Sequence, residues 1–382
     1  MTVSLPTLSE SLKSAQVFVD GDWVESKDQD PDGDVRLVQL ADVGDGVYLD
    51  KSSRFLTSTK AKELRCTFLE AGDILVARMP DPLGRACIFP GDERACVTVV
   101  DVCIIRPDPE IHDPRWLMHC LNSSGARNQI AGYATGTTRS RISRSNLGKV
   151  KVPLPSAEEQ RRIAEVLDRA DELRAKRRQG LAHLDDLTQS IFLDMFGDLC
   201  HNNRGWELSS FGLMGRNEDA RRVPVRSSDR EDQDGPYPYY GASGIIDYVD
   251  DYIFDGARLL VAEDGANLLA RPTPVAFIAS GQYWVNNHAH VIAENGVADL
   301  QYLEFVIKNI DLKPYISGSA QPKLNRANLD RIPIPLPPLP LQREFADRVS
   351  AIDKLKAAHR ASLAELDGLF ASLQDRAFKG LL

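Results

Sequence analysis

Residues 136–198 read GTTRSRISRSNLGKVKVPLPSAEEQRRIAEVLDRADELRAKRRQGLAHLDDLTQSIFLDMFGD, and residues 318–380 read GSAQPKLNRANLDRIPIPLPPLPLQREFADRVSAIDKLKAAHRASLAELDGLFASLQDRAFKG. The two stretches align without a gap at a constant offset of about 182 positions, with about 21 of roughly 63 positions identical. Shared anchors include Arg144/Arg326, Asn146/Asn328, Pro153/Pro335, Gln160/Gln342, Asp171/Asp353, Asp185/Asp367 and Phe196/Phe378. Similarity of that density at a fixed period marks a tandem duplication.

Both copies have the same internal order. A polar, basic run ends in a short apolar strand, residues 150–154 or 332–336; prolines break the chain; a long helical pattern follows. In the first copy Ser156 and Glu159 form an S-x-x-E capping box, and Gly197 stands where a C-cap glycine belongs. From Ser156 to Phe196 is about 41 residues, roughly 60 Å of helix, a length that points to a coiled coil. One heptad column holds Ile163, Ala170, Arg177, Leu184 and Ile191; the other is expected to hold Val166, Leu173, Gly180, Leu187 and Asp194. The second copy gives Phe345, Ile352, His359, Leu366 and Leu373, beside Arg348, Leu355, Ser362, Leu369 and Arg376. Both seams have a polar middle, Arg177/Gly180 and His359/Ser362, and antiparallel pairing makes the two middles meet. A helix this long needs a partner to bury its apolar stripe.

The 382 residues predict two or three domains. The formal charge of −9 argues at first against a nucleic-acid partner, but its distribution does not. The first 50 residues carry about eleven acids and three bases, so the remainder is near neutral. Between Asp113 and Glu158 there is no acid, while Arg115, Arg127, Arg139, Arg141, Arg144, Lys149 and Lys151 are all present. The second copy keeps Lys323, Arg326 and Arg331 at the matching place. The six cysteines show no C-x-x-C spacing and read as reduced, mostly buried thiols of a cytoplasmic protein. No apolar run reaches membrane-spanning length.

The regions between the helices are mixed. A short helix is expected around residues 8–19, strands at 35–43, 72–79 and 95–105, and a helix at 115–122. The second region repeats the plan, with RLLVAE at 258–263 echoing DILVAR at 73–78, strands at 275–279 and 290–293, and a helix at 300–310. The expected organisation is α+β: a first mixed α/β domain (1–155), a first long helix (156–198), a second mixed domain (199–337) and a second helix (338–382), related by an internal pseudo-two-fold repeat. The globules diverge far more than the helices. Two similar modules on a matched frame suit the reading of two segments of one duplex DNA, whose backbone has dyad symmetry.

Catalytic signatures are missing. The sequence has no phosphate loop, no G-x-G-x-x-G after a strand, and no N/D-P-P-Y/F run. His288 and His290, two apart on an expected strand, fall on one face, but no further ligand stands at a recognised spacing. Glu263-Asp264-Gly265 reads as a turn. The expectation is a non-catalytic, DNA-binding chain without metal; the alternatives are a self-sufficient nuclease with a hidden carboxylate site, or a coiled-coil scaffold without DNA contact.

The doubled GTT-x-x-x-I, VPLP, EQ-x-x-IA and FLDMFGD block, with YYGASGIIDYVDDYIFDG (239–256), NNHAHV (286–291) and GSAQPKLN (318–325), resembles the specificity subunit of type I restriction–modification systems. The resemblance covers essentially the whole chain. The second copy departs at Pro340-Leu341-Gln342, where an acid is usual before the Gln, and lacks the FGD ending. The resemblance implies two target-recognition domains separated by two antiparallel helices, each domain reading one half of a bipartite double-stranded DNA site. It implies a subunit that catalyses nothing and recruits two methyltransferase subunits, which methylate adenine N6, and restriction/translocase subunits. S-adenosylmethionine, ATP and Mg are then expected on the partners, none on this chain.

On this reading Arg139, Arg141, Arg144, Lys323 and Arg326 are candidate phosphate contacts, one of them reaching a guanine edge. Lys149 and His288 are further DNA candidates, and Tyr239, Tyr240 and Ser243, in a glycine-framed turn, are candidate base readers. Trp23, Trp116 and Trp206 read as core anchors.

Overall fold

The computed structural model describes residues 5–136, 139–231, 235–318 and 321–382. Thr137, Thr138, Ser319 and Ala320 of the duplicated block lie outside the described residues. Packing divides the chain into two units, one reaching Arg178 and taking in Ala361–Leu382, the other Gln179–Arg360. Each unit therefore holds one globule and half of each long helix, Ala157–Phe196 and Leu339–Phe378, both 40 residues long.

In the first unit four antiparallel strands lie in the order Val17–Asp20, Val102–Arg106, Ile74–Ala77, Ala86–Ile88. A second sheet pairs Val35–Val38 parallel with Ala95–Thr98 and antiparallel with Phe55–Leu56. The second unit repeats this. Its antiparallel sheet runs Ala276–Ala279, Arg258–Ala262, Ala289–Ala293, Arg216–Asn217, and in its other sheet Tyr237–Gly241 lies parallel to Gln282–Val285. The expected N-terminal helix is shorter than the sequence pattern implied. Only Leu8–Ser11 is helical, and Val17–Asp20 is a strand because its backbone pairs antiparallel with Val102–Arg106. The expected run at 95–105 is two strands broken by a turn. Five cysteines are buried and Cys200 is exposed. Burial pushes the Cys87 and Cys120 thiols up to about 12.

A helix closes each globule. Pro114–Leu121 is capped by Asp113, which accepts from the amides of Arg115 and Trp116 (2.9 and 3.2 Å). Leu300–Asn309 is capped by Asp299 in the same way. One glutamine in each copy fastens that cap to a long helix. Gln160, fully buried, accepts from the Asp113 amide (2.9 Å) and donates to the Ile111 and Pro155 carbonyls. Gln342, also fully buried, accepts from the Asp299 amide (3.0 Å) and donates to the Pro337 carbonyl. Two buried amides are thus satisfied by the backbone they anchor. Aromatic rings fill the space beneath: Trp116 beside Phe378 in one unit, Phe192 beside Phe305 and Phe345 in the other.

Within each unit the helix halves pack antiparallel, and the seam differs from the expected one in one column. Ile163, Leu184, Ile191, Phe345, Ile352 and Leu366 are buried or half-buried, as expected. Leu173, Leu187, Leu355 and Leu369 are not in the seam; they stand 45–53% exposed. Their places are taken one position later by Leu167, Arg174, Leu181, Thr188 and Met195, and by Val349, Lys356, Leu363, Phe370 and Ala377. The shift admits two cations. Arg174 donates to Asp171 and Asp367 (both 2.6 Å) and lies 4.3 Å over the Phe370 ring. Lys356, its counterpart in the repeat, pairs with Asp185 (2.7 Å), the counterpart of Asp367, and reaches Thr188 (3.4 Å). At the polar middle a Cβ on Gly180 would come within 3.1 Å of the His359 ring, so the bare glycine makes room for the imidazole.

This register predicts opposite outcomes for two leucines six residues apart. Leu167→Ala should destabilise the chain by about 2–5 kcal/mol, whereas Leu173→Ala should cost less than about 1 kcal/mol. Thermal and urea unfolding check it; equal effects would contradict the shifted register, and a larger loss at Leu173 would restore the unshifted column.

Candidate nucleic-acid interface

Within the acid-free stretch of the first unit, the chain returns on itself at Thr135 and Arg141. Thr135 and Arg141 exchange both backbone hydrogen bonds (2.9 and 2.8 Å). Gly136 turns with φ +97°, where a Cβ would strike the Arg139 carbonyl at 2.5 Å. Ser143 then caps the short helix Arg144–Leu147, and the Asn146 side-chain amide ties back to the Tyr133 carbonyl (3.0 Å). The second unit builds the same loop. Ser317 and Lys323 exchange both bonds (2.9 and 2.8 Å), Gly318 has φ +83° with the Gln321 carbonyl 2.5 Å from its would-be Cβ, and Asn325 caps Arg326–Asp330. Asn328 ties back to Tyr315 (2.9 Å). The duplicated polar run thus encodes one loop, used twice.

The candidate cations sit on these loops in different states. Arg139 is exposed, and among the described residues it has no hydrogen bond or ion pair. Arg141 pairs with Asp101 (2.9 Å). Arg144 donates to the Phe18 carbonyl (2.9 Å) and lies 6.0 Å over the Phe18 ring. Lys149 is exposed and donates to Asn146 (2.9 Å). In the second unit Lys323 pairs with Glu263 (3.2 Å) and Arg326 with Asp330 (3.5 Å); both side chains are more than half exposed.

Other candidates join the second loop or leave it. His288 is exposed and its Nδ1 lies 2.8 Å from Asp264, whose backbone bridges to Lys323. Ser243, at the tip of the hairpin joining Tyr237–Gly241 to Gly244–Val249, is exposed and accepts from Asn267 (3.4 Å). Tyr239 and Tyr240 do not share that surface. Tyr239 is 1% exposed, its hydroxyl accepting from the Val225 amide (3.0 Å) and its ring covered by Arg230. Tyr240 is half-buried against Phe277 and Tyr283. Nor do the two histidines share a face: the strand begins at Ala289, and His290 points inward. Trp116 is a core anchor and Trp206 is partly buried, but Trp23 is 68% exposed, contrary to the sequence expectation.

Beneath the second loop lies a buried charge network. His290 places Nδ1 2.6 Å from Asp219 and Nε2 2.8 Å from the Leu324 carbonyl. The ring is clasped between these two partners, in a group of side chains whose spacing could hold a metal ion. Glu263 completes the group of three and is held by Arg222 (2.9 Å) and Lys323. Burial alone would raise the pKa of Asp219 and of Glu263. The contacts of Asp219 with His290 and of Glu263 with Arg222 outweigh it, so both carboxyls lie below their usual values. The network fixes the underside of the loop through Leu324, whose amide donates to the Glu263 carbonyl (2.7 Å).

The fold and the doubled loop define a chain built from two copies of one module, and comparison with known proteins assigns its family. Residues 21–183 and 203–367 each match the family described as type I restriction modification DNA specificity domain. The chain belongs to that family: it is a type I restriction–modification DNA-specificity chain carrying the domain twice. It is 38% identical over 134 residues to a putative type I restriction enzyme specificity subunit of Haemophilus influenzae, a match spanning 35% of this chain and 34% of that relative. It is 23% identical over 340 residues to the putative type I restriction enzyme MjaX specificity subunit of Methanocaldococcus jannaschii, covering 82% of this chain and 79% of the relative. Among solved structures, the S subunit of a type I restriction–modification system from M. genitalium superposes with a TM-score of 0.62 at 16% identity, covering 97% of this chain and 95% of that one. A chain from a study of type I R-M complex assembly and conformational transition gives 0.51 at 18% identity, covering 100% and 96%. Among the described residues no helix is long and apolar enough to cross a membrane.

The network carries a pH prediction. Carboxyls with depressed folded-state pKa values contribute stability that is present above their unfolded values, about 3.9–4.3, and is lost as pH falls through the lower folded ones. Melting temperatures across roughly pH 3–7 should therefore fall steeply at the acid end, and Asp219→Asn should flatten that fall while lowering stability at neutral pH. An acid limb identical in the variant would remove Asp219 from the account.

Proposed function

We propose that each unit reads one half of a bipartite duplex DNA target, that the paired long helices set the distance between the halves, and that the chain itself catalyses nothing. The observation that carries the reading is the loop built twice on matched helices, 135–141 and 317–323, bearing cations on surfaces that otherwise diverge. Phosphate contacts from Arg139, Arg141, Arg144, Lys323 and Arg326 would fix orientation without reading sequence, and the divergent neighbours would read base edges. The helices and the globule-closing helices fastened to them by Gln160 and Gln342 offer the frame on which two methyltransferase subunits and the restriction subunits dock. Adenine methylation with S-adenosylmethionine, and ATP- and Mg-dependent translocation and cleavage, belong to those partners.

Two measurements test this. Changing Arg139, Arg141 and Arg144 together to Ala should weaken binding by the assembled complex and reduce the salt slope by about 0.9 for each phosphate no longer neutralised; an unchanged affinity and slope would remove the loop from the interface. Replacing residues 205–317 with the equivalent region of a relative should change one half of the methylated motif and leave the other. A change in both halves would contradict the two-reader account.

A further inference from the structure

In the first unit the loop 135–141 borders an open groove of about 770 Å3. Arg139 and Arg141 line it on the loop side, Trp23 and Glu25 come from the segment after the first strand, Met79 follows the strand Ile74–Ala77, and Asp101 lies in the turn before Val102–Arg106. Trp23 is the feature without a structural explanation. It is 68% exposed, and among the described residues its indole N–H donates only to Glu25 (3.2 Å). A large aromatic surface left in water beside a cation is the composition of a contact surface.

The charges around it select the occupant. Arg141 neutralises Asp101 (2.9 Å) and Lys27 holds Glu25 (2.6 Å), which leaves Arg139 without a partner among the described residues. A phosphate inside the groove would meet the carboxylates of Glu25 and Asp101, so the phosphate position is beside Arg139. A base edge is neutral, and a thymine methyl in the groove of the duplex can lie against the indole and the Met79 side chain.

We propose that Trp23 is a base-contacting, specificity-determining residue of the first unit, with Arg139 holding the adjoining phosphate. The proposal rests on the DNA-reading function given above and adds to it the place of readout. At the second loop Asp264 bridges to Lys323 and pairs with His288, so the two loops carry different neighbours.

The test uses the full chain assembled with its methyltransferase subunits. Trp23→Ala and Trp23→Phe are compared with wild type for binding to a labelled target duplex and to an unrelated duplex of equal length, and for the motif methylated in a host genome. Trp23→Ala should weaken target binding about 10-fold, leave binding to the unrelated duplex and the salt slope unchanged, and relax the motif within one half-site. Trp23→Phe should retain most of the affinity, and both variants should melt with the wild type because the side chain is exposed. Wild-type affinity and motif in Trp23→Ala would overturn the proposal, as would an equal loss on both duplexes. If Trp23→Ala is silent while the arginine triple variant loses binding, only this proposal fails; if the arginine variant and the 205–317 exchange are silent too, the DNA-reading function fails with it.

Discussion

The pairing of Arg174 with Asp367 in one unit, and of Lys356 with Asp185 in the other, is the contact on which the architecture depends. It is one interaction encoded once and used twice. When a duplicated helix packs antiparallel on its own copy, each position faces the counterpart of its partner, so a single complementary pair in the ancestral sequence closes both ends of the seam. Exposed ion pairs add at most about 1 kcal/mol, and the apolar residues on either side supply most of the stabilisation. What the pairs add is register. Sliding one helix by a turn would leave two cations in the seam without their carboxylates, a cost of several kcal/mol that an all-leucine seam would not impose.

A fixed seam gives the globules freedom to diverge. Gln160 and Gln342 fasten the closing helix of each globule to the frame, and the loop after that helix keeps its glycine turn, cap and asparagine tie in both units. Beyond those shared parts the chemistry differs. Arg78 follows the central strand of the first unit and pairs with Asp20, while Glu263 follows the central strand of the second and draws in Arg222 and Lys323. The backbone is common and the charge pattern is inverted, as expected where a scaffold must be kept and its readout must change.

The sequence made the duplication, the two long helices, their antiparallel pairing and most strands legible, because periodicity and repetition are local signals. It misplaced half of the seam. Leu173, Leu187, Leu355 and Leu369 look like core residues, and Arg174, Thr188 and Lys356 do not. Hydrophobicity alone selects the first set, whereas the packing geometry accepts cations whose carboxylate partners lie on another helix almost two hundred positions away. The candidate interface follows the same rule. The basic loops were visible in the acid-free run, but the burial of Tyr239, the inward turn of His290 and the exposure of Trp23 depend on strand pairing between distant segments. The adjacent Glu25 and the later Asp101 were the available signals for Trp23, and neither distinguishes a core tryptophan from a surface one.

The most direct measurement is a change of helix length. One heptad inserted after Gly180 and a second after His359, which faces it, preserves the seam and lengthens both helices by about 10.5 Å, close to three base pairs of duplex. If the paired helices set the distance between half-sites, the assembled complex should methylate a motif with unchanged half-sites and a spacer up to about three base pairs longer. A single insertion should impair assembly. Methylation of the original motif at its original spacing by the doubly lengthened chain would contradict the account.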